Sequence, residues 1–403
     1  MDTKSIGATI AHLRKKLNMT QASLAEQLCV SSKAVSKWES GQCYPDVTLF
    51  PRLASIFGVS LDYLMLRKKG IVIAGNLLVD TVKRINHYPE QGTLALVSEC
   101  SRAVGGCGCN TAINLVKIDP SLPVSSCGLV GMDENGRYLL AELQKNGVNV
   151  DFVLSDENIP TSFSDVMSVP GGERTFFHQK GANAVFDPSH IDIGGLNCDI
   201  FHIGYILLLD RFDAADAEYG TVMAKFLSRV RAAGIKTSVD VVTDSSADYR
   251  KKVTPALRYC SYVIINEIEA CSIAGTKPRT EGGKLNRAGV RAAMQYIAEQ
   301  GVEEKVIVHC KEACFALDVA SGALTEVNSL SIPKSEILGS VGAGDAFCAG
   351  ALYGLYHGYP DRQLLEFASA AAACNLFAEN SVDGMRPRDE ILKMEETYGR
   401  VTV

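Results

Sequence analysis

The spacing of apolar residues changes character once along the chain. Before residue 70, apolar positions recur in four short blocks at helical spacing: Ile6, Ile10 and Leu13; Leu24, Ala25 and Leu28; Ala34, Val35 and Trp38; Leu49, Leu53, Ile56 and Phe57. Thr20 and Ser31 stand where helix N-caps belong, and Gly41 and Gly58 where C-caps belong. The pattern predicts four or five compact helices joined by short turns. Arg67-Lys68-Lys69-Gly70 is a short charged joint, and beyond it strand-length apolar runs alternate with helical patterns. Ile71–Gly75, Val124–Val130, Asp199–Ile203, Thr237–Val242, Tyr262–Ile265 and Val306–Val308 read as strands, and 136–146, 216–233 and 287–300 as helices. That alternation predicts an α/β fold, a mostly parallel sheet covered on both faces, with binding sites at the carboxyl ends of its strands.

Size and composition agree. A chain of 403 residues, 47% hydrophobic and 21% charged, suits a soluble globular protein of two or three domains. No stretch approaches the roughly 18 unbroken apolar residues of a membrane span. Met1-Asp2-Thr3-Lys4-Ser5 holds no signal core, so a cytoplasmic protein without a membrane partner is expected. In that compartment the 13 cysteines are free thiols, and the lone close pair Cys107-Gly108-Cys109 reads as loop packing. The net charge of −6 hides an asymmetry: residues 1–70 hold 10 basic and 5 acidic side chains, the remainder 30 and 41. A small basic part and a large acidic part point to different partners.

Gly339-Ser340-Val341-Gly342-Ala343-Gly344-Asp345-Ala346-Phe347 carries the densest chemistry. Glycines let backbone approach a ligand, and the first N–H groups of the helix that follows make an anion site. Asp345 beside such a site is suited to take a proton from a hydroxyl attacking a phosphoryl group held there. Alone, the stretch is equally a Gly-rich helix start with an N-terminal acid. Other features lie near strand ends: Gly75-Asn76-Leu77-Leu78-Val79-Asp80 closing the first strand, the turn Gly105-Gly106-Cys107-Gly108-Cys109-Asn110, and Asn266-Glu267-Ile268-Glu269. Each singly has a structural explanation as good as a functional one.

Two resemblances bring these pieces together. Met19–Glu26, Val30–Gly41, Pro45 and Ile56–Leu64 resemble the Cro/repressor-type helix-turn-helix family over residues 4–66. The resemblance implies a recognition helix at 31–40, with Ser32, Lys33, Ser36 and Lys37 reading bases or phosphates of double-stranded DNA. Gln21 would touch the backbone, and a homodimer is implied. The competing reading is a helical protein-interaction module whose polar faces are simply solvated.

From residue 71 to about 393, the order GNxxxD, GGxGxN, NxxE and GxGD resembles the ribokinase-like (phosphofructokinase-B) carbohydrate kinases. Tyr88–Gly92, Gly172–Phe176, Gly181–Asn183, Phe367–Ala373 and Gly384–Pro387 add to it. What it implies is a Rossmann-like ribokinase fold over 71–403, with a small β lid from segments near 81–104 and 161–180, preceded by the all-α domain 1–66 and the linker 67–70. Asp80, Gly105, Gly106 and Asn110 would bind substrate hydroxyls. Asp345 would be the base, and Gly342, Ala343 and Gly344 would donate N–H groups to the transferring phosphoryl. ATP and Mg²⁺ are the implied cofactors, with Glu269 holding the metal through water and Asn266 beside the nucleotide. Ser369 would be the polar residue bordering adenine.

Three places depart from the family pattern. Gly339 and Ser340 replace an Asp-Thr pair whose aspartate helps some members bind a monovalent cation, which makes that requirement doubtful. Lys311 replaces a glycine near the nucleotide phosphates, where it would crowd them or charge-pair with them. Cys107 stands where ribokinase carries lysine, which argues against carrying ribose over as the substrate. The expected function is ATP-dependent phosphorylation of a sugar or nucleoside hydroxyl by a kinase fused to a DNA-binding regulator. The alternative is a catalytically weak kinase fold acting as a sugar-sensing transcription factor.

Overall fold

The four amino-terminal apolar blocks become α1 (Thr3–Lys16), α2 (Gln21–Leu28), α3 (Ser32–Glu39) and α4 (Phe50–Phe57) in the computed structural model. That structure describes residues 3–59, 61, 64, 69–169, 174–244 and 248–402. Part of the expected linker 67–70, of the motif 56–64 and of the lid stretch 161–180 therefore lies outside the described residues. The chain divides into two compact units, residues 1–70 with 192–199, and residues 71–191 with 200–403.

The caps in the first unit act as their chemistry dictates. Thr20 Oγ1 accepts from Ser23 N at 3.0 Å and Ser31 Oγ from Ala34 N at 3.2 Å, satisfying helix N–H groups that have no partner within the helix. Gly58 ends α4 at φ 66°, a left-handed conformation costly for a residue with a Cβ. Ile10, Leu24, Val35 and Leu53 are fully buried and make the core, each burial contributing about 1.5–3 kcal/mol. Trp38 closes that core next to Gly7, where a Cβ would collide with the Trp38 carbonyl.

The second unit is built on a sheet of nine strands among the described residues. Its strands are β1 (Gly70–Gly75), β4 (Val124–Gly131), β5 (Asn149–Asp156), β8 (Cys198–Ile206), β11 (Lys236–Val241), β12 (Tyr262–Asn266), β13 (Lys305–His309), β14 (Ala313–Asp318) and β15 (Leu324–Asn328). Their order is β15-β14-β13-β12-β11-β8-β1-β4-β5. The pairs β1–β4, β4–β5, β8–β11, β11–β12 and β12–β13 are parallel, whereas β13–β14 and β14–β15 are antiparallel. Every residue of β1 is buried, as a central strand covered on both faces requires. A second sheet, ordered β3-β2-β6-β7, holds β2 (Leu78–Ile85), β3 (Val97–Gly105), β6 (Ser162–Ser168) and β7 (Arg174–Gln179), the lid position of the sequence reading.

Two local expectations change. The helix expected over 216–233 starts at Val222, because β9 (Ala215–Asp216) and β10 (Gly220–Thr221) form a small hairpin first and Thr221 caps the helix. Asp80 does not close β1: a new strand begins at Leu78, so Asp80 stands within the lid strand β2. The helices that matter for the site are α5 (Cys107–Ile118), α6 (Glu134–Lys145), α7 (Val222–Ala232), α8 (Glu267–Ala274), α9 (Arg287–Glu299), α10 (Ala343–Tyr356) and α11 (Asp361–Asn375). Close approach of α10 to α11 depends on small residues, since a Cβ at Gly350 would lie 2.8 Å from Ala368 Cα.

Candidate functional site

Asp345 lies in the first turn of α10 and is 6% exposed. No side chain caps this helix, and its N-cap Gly342 is left-handed at φ 77°, so the donor end of the helix is left to other acceptors. A Cβ at Gly342 would collide with Ser381, so glycine is required here by both conformation and space. Asn110 Nδ2 donates to Asp345 Oδ2 at 2.9 Å, and the Tyr205 hydroxyl donates to Oδ1 at 2.6 Å. Burial pushes the carboxyl above the usual carboxylate range, and the bonds from Tyr205 and Asn110 pull it back. Asn110 Oδ1 is buried with no hydrogen-bond partner, an acceptor left open beside the acid.

The turn Gly105-Gly106 starts α5, and Gly106 takes φ 81° as its N-cap. A Cβ at Gly105 would collide with the Asp80 carboxylate, and β2 and β3 place the two segments side by side, Leu78 opposite Gly105. Asp80 lines a cavity of about 640 Å³ that extends to Val341, just before Gly342, and to Ser381. Arg84 on β2 pairs with Glu379 at 2.6 Å, and both line the same cavity. Asp80 thus lines the cavity with Gly105 against its carboxylate, while Asn110 of α5 and Asp345 of α10 are joined by their own hydrogen bond.

Asn266 and Glu269 form a reciprocal cap at the start of α8. Asn266 Oδ1 accepts from Ile268 N and Glu269 N, while Glu269 Oε2 accepts from Asn266 N at 3.0 Å. Glu269 Oε1 also accepts from Thr243 Oγ1 at 2.8 Å and Asn266 Nδ2 at 2.7 Å. Burial pushes Glu269 up to about 7, against the pull of those donors. Asp240, at the end of β11, is pushed up further by burial and then by the charges of Glu269 and Asp345. Among the described residues no Lys or Arg pairs with Asp240, Glu269 or Asp345. Oxygen donors without a counter-charge suit a hard divalent cation such as Mg²⁺.

Other expected residues lie outside this cluster. Lys311 is exposed in the turn between β13 and β14; the neighbouring Glu312 is held by Arg279 at 2.5 Å, which also pairs with the buried Glu267. The Ser369 hydroxyl is taken up locally, donating to the Glu366 carbonyl and accepting from Arg400 Nη1, each at 3.0 Å. Sequence reasoning missed Tyr205, Asp240 and Thr243. Asp240 stands at the carboxyl end of a predicted strand, the rule that singled out Asp80. Tyr205 carries no such signal, because its partner is 140 positions away.

In the amino-terminal unit, Ser32, Lys33, Ser36 and Lys37 are all exposed on α3. Val35 and Trp38 turn the other face of the same helix into the core. Gln21 is part-buried and donates to Glu39 Oε2 at 2.8 Å, and Arg14 grips the same carboxylate at 2.6 and 2.9 Å. This three-way contact ties α1, α2 and α3 into one geometry.

No helix among the described residues is long and apolar enough to cross a membrane. A model of pfkB family carbohydrate kinases matches residues 69–387, and a helix-turn-helix model matches residues 10–64. The 5-dehydro-2-deoxygluconokinase of Listeria monocytogenes serotype 4b (strain CLIP80459) is 24% identical over 333 residues, 81% of this chain and 95% of that protein. The ribokinase of Arabidopsis thaliana is 23% identical over 338 residues, 80% of each chain. The solved structure of Arabidopsis thaliana ribokinase with ribose and ATP matches with a TM-score of 0.65 at 21% identity, over 81% of this chain and 98% of that one. Thermotoga maritima ribokinase matches at 0.66 and 18% identity, over 82% of this chain and 100% of that one. These structural likenesses show a ribokinase fold. With the family model spanning most of its length, the chain belongs to the pfkB family of carbohydrate kinases and carries a helix-turn-helix domain ahead of the kinase domain.

Proposed function

We propose that this carbohydrate kinase transfers the γ-phosphoryl group of ATP to a hydroxyl of a sugar or nucleoside, and that its helix-turn-helix domain binds DNA and regulates transcription. One observation carries the kinase reading: Asp345 is buried at the uncapped start of α10, bonded by Asn110 and Tyr205, beside the open acceptor Asn110 Oδ1. Asp80, Gly105, Gly106 and Asn110 orient the acceptor. Asp345 takes the hydroxyl proton as the oxygen–phosphorus bond forms; the bond from the γ-phosphorus to the bridging oxygen breaks, and its electron pair leaves with ADP. N–H groups of Gly342, Ala343 and Gly344 stabilise charge on the phosphoryl oxygens. Asn266, Lys311 and Ser369 of α11 are assigned to the nucleotide side. Glu269, through water and with Asp240 beside it, would hold Mg²⁺, which neutralises phosphate charge when bound.

Domain 1–66, joined through 67–70 to the kinase domain 71–403, binds double-stranded DNA as a homodimer in the cytoplasm. Ser32, Lys33, Ser36 and Lys37 read bases and phosphates, and Gln21 lies at the DNA backbone. The exposed polar face of α3, fixed by the Arg14–Glu39–Gln21 contact, supports this reading.

The test is ADP release from ATP over a panel of sugars and nucleosides, headed by 5-dehydro-2-deoxygluconate and ribose because relatives are named for those acceptors. At least one acceptor is expected to give ADP that disappears in Asp345→Asn. If ligands shift DNA affinity yet none yields Asp345-dependent ADP, the kinase reading fails and the sensor reading replaces it.

A further inference from the structure

We infer that Tyr205 is a positioning residue for the base, holding the Asp345 carboxylate ionised and fixing the direction its remaining lone pairs face. The inference rests on the proposed role of Asp345. Its observations are geometric. Tyr205 follows Gly204 near the end of β8, and Gly204 is pinned from two sides. Its carbonyl accepts from Asn76 N at 2.9 Å and from the Cys107 thiol at 2.7 Å. On the first side there is no slack, since a Cβ at Gly75 would collide with that same carbonyl. A backbone held this firmly delivers the phenol to Asp345 Oδ1 at 2.6 Å, while Asn110 occupies Oδ2 at 2.9 Å.

A phenol that donates to a carboxylate stabilises the charged form, and only the charged form can take a proton. With one donor on each oxygen, the carboxylate plane is fixed and the remaining lone pairs face a defined direction. The ionisable groups around Asp345 come from several elements: Cys107 and Cys109 from α5, Asp240 from β11, Cys348 from α10 itself, and Tyr205. Burial raises all three thiols, so they stay neutral near pH 7 and do not compete as charges. Asp240 acts the other way, since its negative form would oppose ionisation of Asp345. Hydrogen bonds from Tyr205 and Asn110, with Thr111 a weaker third, favour the ionised form against it. Neither Tyr205 nor Asn110 lies in the sequence neighbourhood of Asp345, and Tyr205 belongs to none of the motifs that group Asn110 with it.

The experiment compares the full-length protein with Tyr205→Phe, which removes one oxygen and keeps the ring. The first readout needs no substrate: carbon-13 NMR of labelled aspartate carboxyls, with the Asp345 signal identified by its loss in Asp345→Asn. Without the phenol, Asp345 is expected to titrate about one pH unit higher, a tenfold change in its ionisation constant. The second readout is the pH profile of kcat/KM for ADP release with the best acceptor of the panel. Its acid limb is expected to move up by a similar amount, while the plateau falls less. A lower melting temperature alone would move neither. Coincident titrations in the two proteins overturn the inference. If Asp345→Asn keeps full kinase activity, the proposed role of Asp345 fails, and the NMR arm still decides whether Tyr205 controls its ionisation.

Discussion

The polar face of α3 that we propose reads DNA and the proposed phosphoryl-transfer site are assembled by opposite routes. On α3, Ser32, Lys33, Ser36 and Lys37 lie within six positions, and one amphipathic period both buries Val35 and Trp38 and exposes these four. The proposed kinase site draws Asp80, Gly105, Asn110, Tyr205, Asp240, Glu269 and Asp345 from stretches spread over more than 260 positions. The first is exposed and carries two lysines. In the second, Asp240, Glu269 and Asp345 are buried, and among the described residues Glu269 and Asp345 are held by neutral donors rather than by cations. A surface that binds phosphates of many sequences needs charge without rigid placement; a proton-transfer site needs placement first.

Four changes would break or sharpen that contrast. The largest effect is expected at Asp345→Asn, which removes the base from the buried site: kcat for ADP release should fall about 10²–10⁴-fold. A loss below tenfold would mean that Asp345 is no more than a helix-start acid. On the exposed site, Lys33→Ala with Lys37→Ala should weaken DNA binding about tenfold or more and lower the salt-dependence slope by about one per lysine. Mobility shifts at several salt concentrations check this, and unchanged slopes would exclude α3 as the reading helix.

Gly342→Ala comes next, because the left-handed backbone and the Ser381 contact both resist a Cβ. It should cost about 1–2 kcal/mol, seen as a lower melting temperature of the kinase unit with the helix-turn-helix unit unaffected. An unchanged melting curve would show that the glycine is not structurally required.

The last effect concerns pH. His202 is fully buried and held down to about 3 by burial, its Nδ1 3.0 Å from Ser238 Oγ and its Nε2 3.6 Å from Cys348 Sγ. Its folded value lies below the unfolded value near 6.5, so the unfolded chain binds the extra proton between about pH 3 and 6.5. Stability should therefore decline as pH falls through that window, by at most about 1.4 kcal/mol per unit from this group. His202→Gln is expected to flatten the fall in melting temperature between pH 7 and 5. An equally steep fall would place the acid sensitivity elsewhere, with the buried His309, held down to about 4, the next group to test.

Much of the architecture was legible because it is written locally. Alternating apolar blocks placed β1, β4, β8, β11, β12 and β13, and the caps Thr20 and Ser31 fall where their side chains satisfy helix N–H groups. The hairpin at 215–221 was not legible, since its two-residue strands are too short to show a period. Within the site, Gly342, Asp345, Asn266 and Glu269 stood out through motifs whose meaning is backbone conformation or capping. Asp80 was found but placed at the end of β1, because the new strand from Leu78 continues the same apolar run.

By itself, then, the sequence determined the two-part organisation, the helix that presents basic side chains, the glycine turns and the acid at the start of α10. Each follows from periodicity or from the conformations a residue can adopt, and these are properties of short segments. Only the tertiary structure decided that Asn110 and Tyr205 would each take one oxygen of Asp345. It also set Asp240 and Glu269 in each other's field and tied the Ser369 hydroxyl to Arg400. Those outcomes depend on which strand ends become neighbours in the sheet order, and on how far burial strengthens each charge once they do.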